Sequence, residues 1–364
     1  MNSGHKFARP LLVMTLWVGA GFLLNAPLAI AAPVAVAPYT LSTFTGVPPS
    51  GATQPDDLAV SADGADLWIG YGNGVDTTGK GGPSNLVEYN ISSGAVLQNL
   101  TIPGHLDGLK IDPSTGEVWA TENEDGNPTL AIVNPKTGKF KIFPVSSPLI
   151  TGGFDDLVFT GTGSFIVASS QVDTTTPVIV QVTIKGKKKK ATLNFTSALP
   201  GAPSTVWNVV TNASESGDTI GDPDSMTIDP AGEFVLDDRS SHSLFIVRNS
   251  SAPKPVLRVP LTLAGIPDVP LEVNDTIFTE SETSRDSSTA GVIFITDTTA
   301  NIIYVLTKPY FPSNEVYTAA NVVNDVGLVD LNTGIVVPVV TGFQGVHGLA
   351  FSPTSVAIST TTGK

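Results

Sequence analysis

The stretch Asp107-Gly108-Leu109-Lys110-Ile111-Asp112-Pro113, followed by Gly116 and then Val118-Trp119-Ala120, decides how this chain is read. It holds an acidic residue, a small residue, alternating apolar positions, a turn and a second apolar segment. Alternation with period two marks half-buried strands, and Asp-Pro followed by Gly marks a tight turn between them.

The pattern recurs in both directions. Before it stands Asp56-Asp57-Leu58-Ala59-Val60 with Leu67-Trp68-Ile69. After it come Asp155-Asp156-Leu157-Val158-Phe159 with Phe165-Ile166-Val167, and Asp224-Ser225-Met226-Thr227-Ile228 with Phe234-Val235-Leu236. A fifth copy reads Asp275-Thr276-Ile277-Phe278 with Val292-Ile293-Phe294-Ile295, and a sixth His347-Gly348-Leu349-Ala350-Phe351 with Val356-Ala357-Ile358. Each interval between successive copies is long enough for four short strands and their turns. Third strands are visible at 84–89, 129–134, 179–184, 243–248 and 302–306, and fourth strands at 95–102 and 139–145.

The expected fold is all-β: a six-bladed β-propeller of four-stranded antiparallel blades, favoured over a β-helix or sandwich. The last copy runs short. Residues 39–44 alternate apolar with polar ahead of the first copy, so the last blade is expected to be closed by this N-terminal strand, which removes open sheet edges. The long intervals 193–221 and 309–342 have room for extra strands.

Composition agrees with such a fold. The 364 residues include 35 Gly and 28 Pro, which favours strands and turns. Hydrophobic residues make up 41% and charged ones 14%, enough to build a core and too apolar for a disordered acidic tail. Cysteine is absent, which excludes disulfides and Cys-based zinc or iron–sulfur sites. The net charge of −14 argues against nucleic acid as a partner.

Residues 1–31 read as a signal peptide: basic Lys6 and Arg9, an apolar run from 11 to 24, and a small-x-small end at Ala29-Ile30-Ala31. Cleavage leaves 32–364 as a single propeller domain. It is more acidic than the whole chain, since Lys6 and Arg9 are lost and no acidic residue is. No transmembrane span then remains, and a monomer in a secreted or periplasmic location is expected.

The first strand of each propeller blade lines the central channel, so the repeat's first position faces the axis. Asp56, Asp107, Asp155, Asp224 and Asp275 are therefore candidate metal ligands, with His347 at the sixth place. Converging carboxylates repel, and a divalent cation would relieve this. All-oxygen ligands favour Ca²⁺ or Mg²⁺. The alternative is that each Asp caps backbone amides of its own turn. His347 as general base and Asp107 are the catalytic candidates, with His105 near the same face. His242 reads as an exposed turn residue.

Other motifs carry less. Three histidines after residue 31 and no G-x-S-x-G give a serine triad little support. Gly70-x-Gly72-x-Gly74 precedes no helix and is not a dinucleotide fingerprint. The acidic run 122–127 lacks the D-x-D-x-D-G calcium pattern and reads as a solvated turn. The lysine run 185–190 reads as a hairpin tip. N-x-S/T triplets stand at Asn90, Asn99, Asn194, Asn212, Asn249 and Asn274.

A family resemblance attaches to these repeats. The segment from Pro223 to Gly232 resembles the P-D-G-M-x-x-D-x-x-G repeat of the gluconolactonase/regucalcin family. The segment from Asp107 to Pro113 is similar to its N-D-G-K-x-D-P segment with one residue inserted, and that from Pro55 to Gly64 to its P-N-G-L-x-x-S-x-D-G repeat. The resemblance implies a six-bladed propeller and calcium- or zinc-dependent lactonase activity. It implies that Asp224 matches a metal-binding Asp and that Asp56 stands where a metal-binding Asn is usual. The family's E-G-P-x-W segment, which supplies a Glu ligand, has no counterpart here.

Two functions are expected on this basis. The first is a secreted module that binds a small molecule or an extracellular protein or polysaccharide, with a divalent cation, Ca²⁺ before Mg²⁺ or Zn²⁺, in its channel. The alternative is a metal-dependent lactonase or esterase. A cell-surface repeat protein without a metal is a third reading.

Overall fold

The computed structural model describes residues 31–145, 153–168, 177–186, 192–200, 203, 205–216, 220–248, 251–279, 288–289 and 291–353. All but the last residue of the expected signal peptide, Val356-Ala357-Ile358 and most of the lysine run lie outside them. Among the described residues every regular element is a β-strand, and no helix is long and apolar enough to cross a membrane.

Four sheets form from consecutive strands, each an antiparallel meander. The first is Pro55–Val60, Asp66–Tyr71, Pro83–Asn90 and Val96–Pro103. The second is Leu106–Ile111, Val118–Glu122, Thr129–Asn134 and Lys139–Pro144. The third is Phe154–Thr160, Gly163–Ala168, Pro177–Lys185 and Thr192–Pro200. The fourth is Pro223–Ile228, Phe234–Asp238, Ser243–Val247 and Val256–Pro260. Part of the long interval 193–221 supplies Val206–Asn208, which adds parallel to this sheet's outer edge, and Ala213–Glu215 beyond it.

The rest of the ring is built differently from the expectation. Asp275–Phe278 does not pair with Val292–Asp297. Its partners come from the second long interval: Val316–Ala320, then Asp325–Asp330 and Ile335–Thr341. Val292–Asp297 and Ile302–Thr307 instead cross to the strand of His347, Val346–Ser352. Thr40–Thr43 forms the outer strand of that sheet. The two last sheets are thus interleaved in the chain, and the expectation of six successive blades, each from its own repeat, does not hold as stated. Val292–Asp297 is buried at every residue, so it fits the inside of either sheet, and its own pattern does not say which.

The innermost strands pack neighbour to neighbour, and Val346–Ser352 packs against Pro55–Val60. Four-stranded antiparallel blades around a channel make this a β-propeller. The apolar core lies between sheets. Phe44 is 3% exposed, and its ring stands edge-on to Tyr89 and Phe294, each at 5.7 Å. It fastens the N-terminal segment to two blades at once. Burying such a ring contributes about 1.5–3 kcal/mol.

One irregularity positions the chemistry. The inner strands slip register between Pro55 and Leu58, Leu106 and Leu109, Phe154 and Leu157, and Pro223 and Met226. The last inner strand slips between Val346 and Leu349. A bulge re-aims side chains. Here it frees two consecutive residues per strand, and those are the repeated Asp and its successor.

Candidate functional site

The freed pairs, together with Asn274-Asp275 from the one inner strand that shows no slip, form two rings. Asp56, Asp107, Asp155, Asp224, Asn274 and His347 stand at the first position. Asp57, Gly108, Asp156, Ser225, Asp275 and Gly348 stand at the second. Together they enclose a narrow space of about 30 Å³. Asp275 is therefore one residue out of the expected alignment. Asn274 occupies the first position, and Asp275 behaves like Asp57 and Asp156.

Hydrogen bonds establish this equivalence. Asp57 Oδ2 accepts from Leu109 N at 2.6 Å, Asp156 Oδ2 from Met226 N at 2.9 Å, and Asp275 Oδ2 from Leu349 N at 2.6 Å. Each carboxylate reaches across one joint to the next inner strand. The intervening joints use second-strand side chains. Thr121 Oγ1 donates to Asp155 O, Thr296 Oγ1 to Asp56 O at 2.7 Å, and Thr276 Oγ1 to Asp237 Oδ2 at 3.0 Å. Two of these joints need glycine. A Cβ on Gly108 would lie 2.4 Å from Asp155 O, and one on Gly348 2.6 Å from Asp56 O.

In the second ring the positive charge is Lys110. Its Nζ lies 3.0 Å from both Asp57 Oδ2 and Asp156 Oδ1. Burial pushes Asp156 up to about 6 even though Lys110 pulls the other way. In the first ring His347 Nδ1 lies 2.6 Å from Asp56 Oδ1. Burial alone would lower the His347 pKa, but the charge and hydrogen bond of Asp56, with Asp224 and Asp57 behind it, raise it to about 9. Burial raises Asp56, and His347 reverses this to leave it below the usual carboxylate range. The Asp56 carboxylate therefore favours the protonated form of His347.

Among the described residues no cationic group lies as close to the other first-ring carboxylates. Burial, then the charges of Glu124, Asp56 and Asp224, push Asp107 well above its ordinary range. Burial, the hydrogen bond with Glu124 and the charge of Asp107 do the same to Asp155. Asp224 is pushed by burial to about 8, although Arg239 Nη1 lies 3.8 Å away. Arg239 is held closer by Glu272, at 2.7 Å.

Ligand-type atoms of Asp107, Glu124 and Asp155 all lie within 4.8 Å of one another, as do those of Asp56, His105 and Asp107. Asp107 belongs to both groups, whereas Asp224 and Asp275 belong to neither. His105 Nδ1 lies 2.9 Å from Val75 O. A carbonyl only accepts, so Nδ1 carries the proton and Nε2 keeps its lone pair. Glu124 was hidden in the acidic run read as a solvated turn. It follows the second strand of its sheet, off the repeated position. Its backbone is pinned by Gly153 N, which donates to Glu124 O at 2.7 Å. The donor set suits a divalent cation: carboxylates with an imidazole alongside, and buried Asp107 Oδ2 and Asp155 Oδ1 that have no hydrogen-bond partner among the described residues.

His242 sits in a turn with φ of 51° and is half-buried, away from the rings. The channel, its two acidic rings and the blades around it define the molecule as a β-propeller with an electronegative axis.

No protein-family profile matches the chain, and no curated protein matches it. Solved structures similar to it include a streptogramin B lyase at 13% identity and a TM-score of 0.46, covering 85% of this chain and 90% of that one. A virginiamycin B lyase from Staphylococcus aureus has 11% identity and a TM-score of 0.42, covering 87% and 89%. An auxiliary nutrient binding protein from Bacteroides thetaiotaomicron has 16% identity and a TM-score of 0.41, covering 70% and 59%. Likeness at this level carries no functional argument, and the site has to be read from its own geometry.

Proposed function

We propose that this chain is a secreted or periplasmic propeller of six blades that holds a divalent cation in its channel and binds a small molecule or an extracellular partner through it. The cation is Ca²⁺ before Mg²⁺ or Zn²⁺. Its ligands are Asp107, Glu124 and Asp155, with Asp56 and His105 alongside. The observation that carries the reading is the convergence of three carboxylates within 4.8 Å. Among the described residues, no Lys or Arg lies within ion-pair distance of Asp107 or Asp155. Six blades are supported by the six channel-lining pairs. The apolar run with its small-x-small end supports export.

A second reading is a metal-dependent lactone or ester hydrolase, favoured by the protonated His347 beside the acidic cluster. The bound cation would supply Lewis acidity. In this reading Asp56 holds His347 in its charged form, and His347 donates a proton to a leaving oxygen.

Metal analysis and calorimetric titration with Ca²⁺ test the first reading. One equivalent per chain, lost in Asp155→Asn, supports it, and no binding of Ca²⁺, Mg²⁺ or Zn²⁺ overturns both readings. Turnover on a lactone and ester panel that disappears in His347→Gln supports the hydrolase. A metal-loaded but inert protein leaves the binding module.

A further inference from the structure

The channel widens beyond the second ring into a cavity of about 660 Å³, within the size range of small-molecule sites. Its wall includes the half-buried side chains of Val60, Ile228, Ile277, Phe278 and Phe351. These come from four inner strands, and each of those strands pairs with a neighbour on one side only. Their free edges offer backbone N–H and C=O groups to the channel. The cavity thus joins apolar side chains to polar strand edges, with Lys110 and Asp275 also in its lining.

Asp275 lines both this cavity and the narrow space between the rings, so its carboxyl stands at the partition. It is 7% exposed. Oδ2 is committed to Leu349 N, and Oδ1 has no hydrogen-bond partner among the described residues. The charged groups nearby are Asp57, Asp156 and Lys110, and the two aspartates already share the single ammonium. Asp229 also lines the cavity, but its Oδ1 is taken up by the amides of Ala231 and Glu233 in its own turn. Burial and the charges of Asp57 and Asp156 push Asp275 well above the usual carboxylate range, and Lys110, shared by those two, does not offset them. The partition therefore has one carboxyl more than its cation can serve.

We propose that this cavity binds a small organic cation, with an ammonium end against Asp275 Oδ1 and an apolar body along the Ile228 and Ile277–Phe278 walls. An anionic ligand would add to the unbalanced charge. A neutral one would leave Oδ1 without a positive partner. The site is independent of the cation reading for the mouth, since none of Asp107, Glu124 and Asp155 lines it.

The test uses 2-phenylethylammonium as probe, with 2-phenylethanol and 3-phenylpropionate as its neutral and anionic counterparts, titrated calorimetrically at pH 8. The amine is expected to bind at least tenfold more tightly than the alcohol, and the carboxylate not at all. Asp275→Asn should erase the preference for the amine. Thr227→Trp, which fills the cavity from its wall, should abolish binding of both amine and alcohol while the protein still melts cooperatively. Asp155→Asn should leave amine affinity within twofold. Equal binding of amine and alcohol, or a preference that survives both Asp275→Asn and Thr227→Trp, overturns the proposal. So does amine binding lost in Asp155→Asn and kept in Asp275→Asn, since that places the amine at the mouth.

Discussion

His347 Nδ1 and Asp56 Oδ1 meet at 2.6 Å across the joint between the last inner strand and the first. The pair couples ring closure to proton binding. His347 is raised from 6.5 to about 9, so its stabilising contribution is whole below about 6.5 and gone above about 9. Asp224, raised to about 8, and Asp237, raised to about 7, also favour the fold while protonated and lose that contribution as pH rises. Asp56, which is lowered, opposes them only in acid. In the presence of a chelator the melting temperature is therefore expected to fall between pH 5 and pH 9. A calorimetric series across that range checks it, and a flat or rising profile contradicts it.

Asp155→Asn separates repulsion from ligation. Metal-free at pH 8, the variant should melt above the parent, because a carboxyl whose ionisation is opposed first by burial and then by Glu124 and Asp107 is replaced by a neutral amide. With Ca²⁺ added the order should reverse, since the parent alone gains from binding. Melting curves with and without Ca²⁺ read both effects.

Lys110→Met strands Asp57 and Asp156 without their cation. Removing one partner of a buried ion pair costs about 3–5 kcal/mol. The loss should be largest at pH 8 and smaller at pH 5, where Asp156, already at about 6 beside Lys110, takes up a proton. Urea unfolding at the two pH values measures the difference.

Gly108→Ala tests the joint between the second and third sheets. The added Cβ meets Asp155 O at 2.4 Å and Asp156 Cα at 2.5 Å, both backbone atoms. Overpacking of this kind costs about 1–3 kcal/mol, and here the inner strands must separate to relieve it. Gly161→Ala is the control, because its Cβ meets nothing within 4 Å. Chemical denaturation should show a clear loss for the first variant and none for the second.

Much of the propeller was legible because its inner strands repeat one local event. Asp at a bulge, a turn and an apolar second strand are all written in one short stretch, as from Asp107 to Ala120. Asp275 misled for the same reason. Its strand shows no register slip against Val316–Ala320, and Asn274-Asp275 offers two polar residues for one first position. Glu124 was not legible because a loop, and not the repeat, brings it to Asp107. The exchange of strands between the last two sheets left no local trace, since Val292–Asp297 and Val316–Ala320 are both buried throughout.

That exchange bears on how the chain is made. Asp275–Phe278 emerges from the ribosome before the three strands that complete its meander. Only short outer pieces of its sheet precede it: Val34–Ala35, Thr262–Leu263 and Ile266–Pro270. Two strands of the other sheet are synthesised before Val316 arrives. Among the described strands that precede them, those two, Val292–Asp297 and Ile302–Thr307, find one partner in their own sheet, Thr40–Thr43. The sheet they belong to is incomplete until Val346–Ser352 slides into the innermost place. Long-range pairings of this kind slow folding. The ring of inner strands is therefore closed by the last of them to be made, Val346–Ser352, which packs against both Asp275–Phe278 and Pro55–Val60 and brings His347 to Asp56.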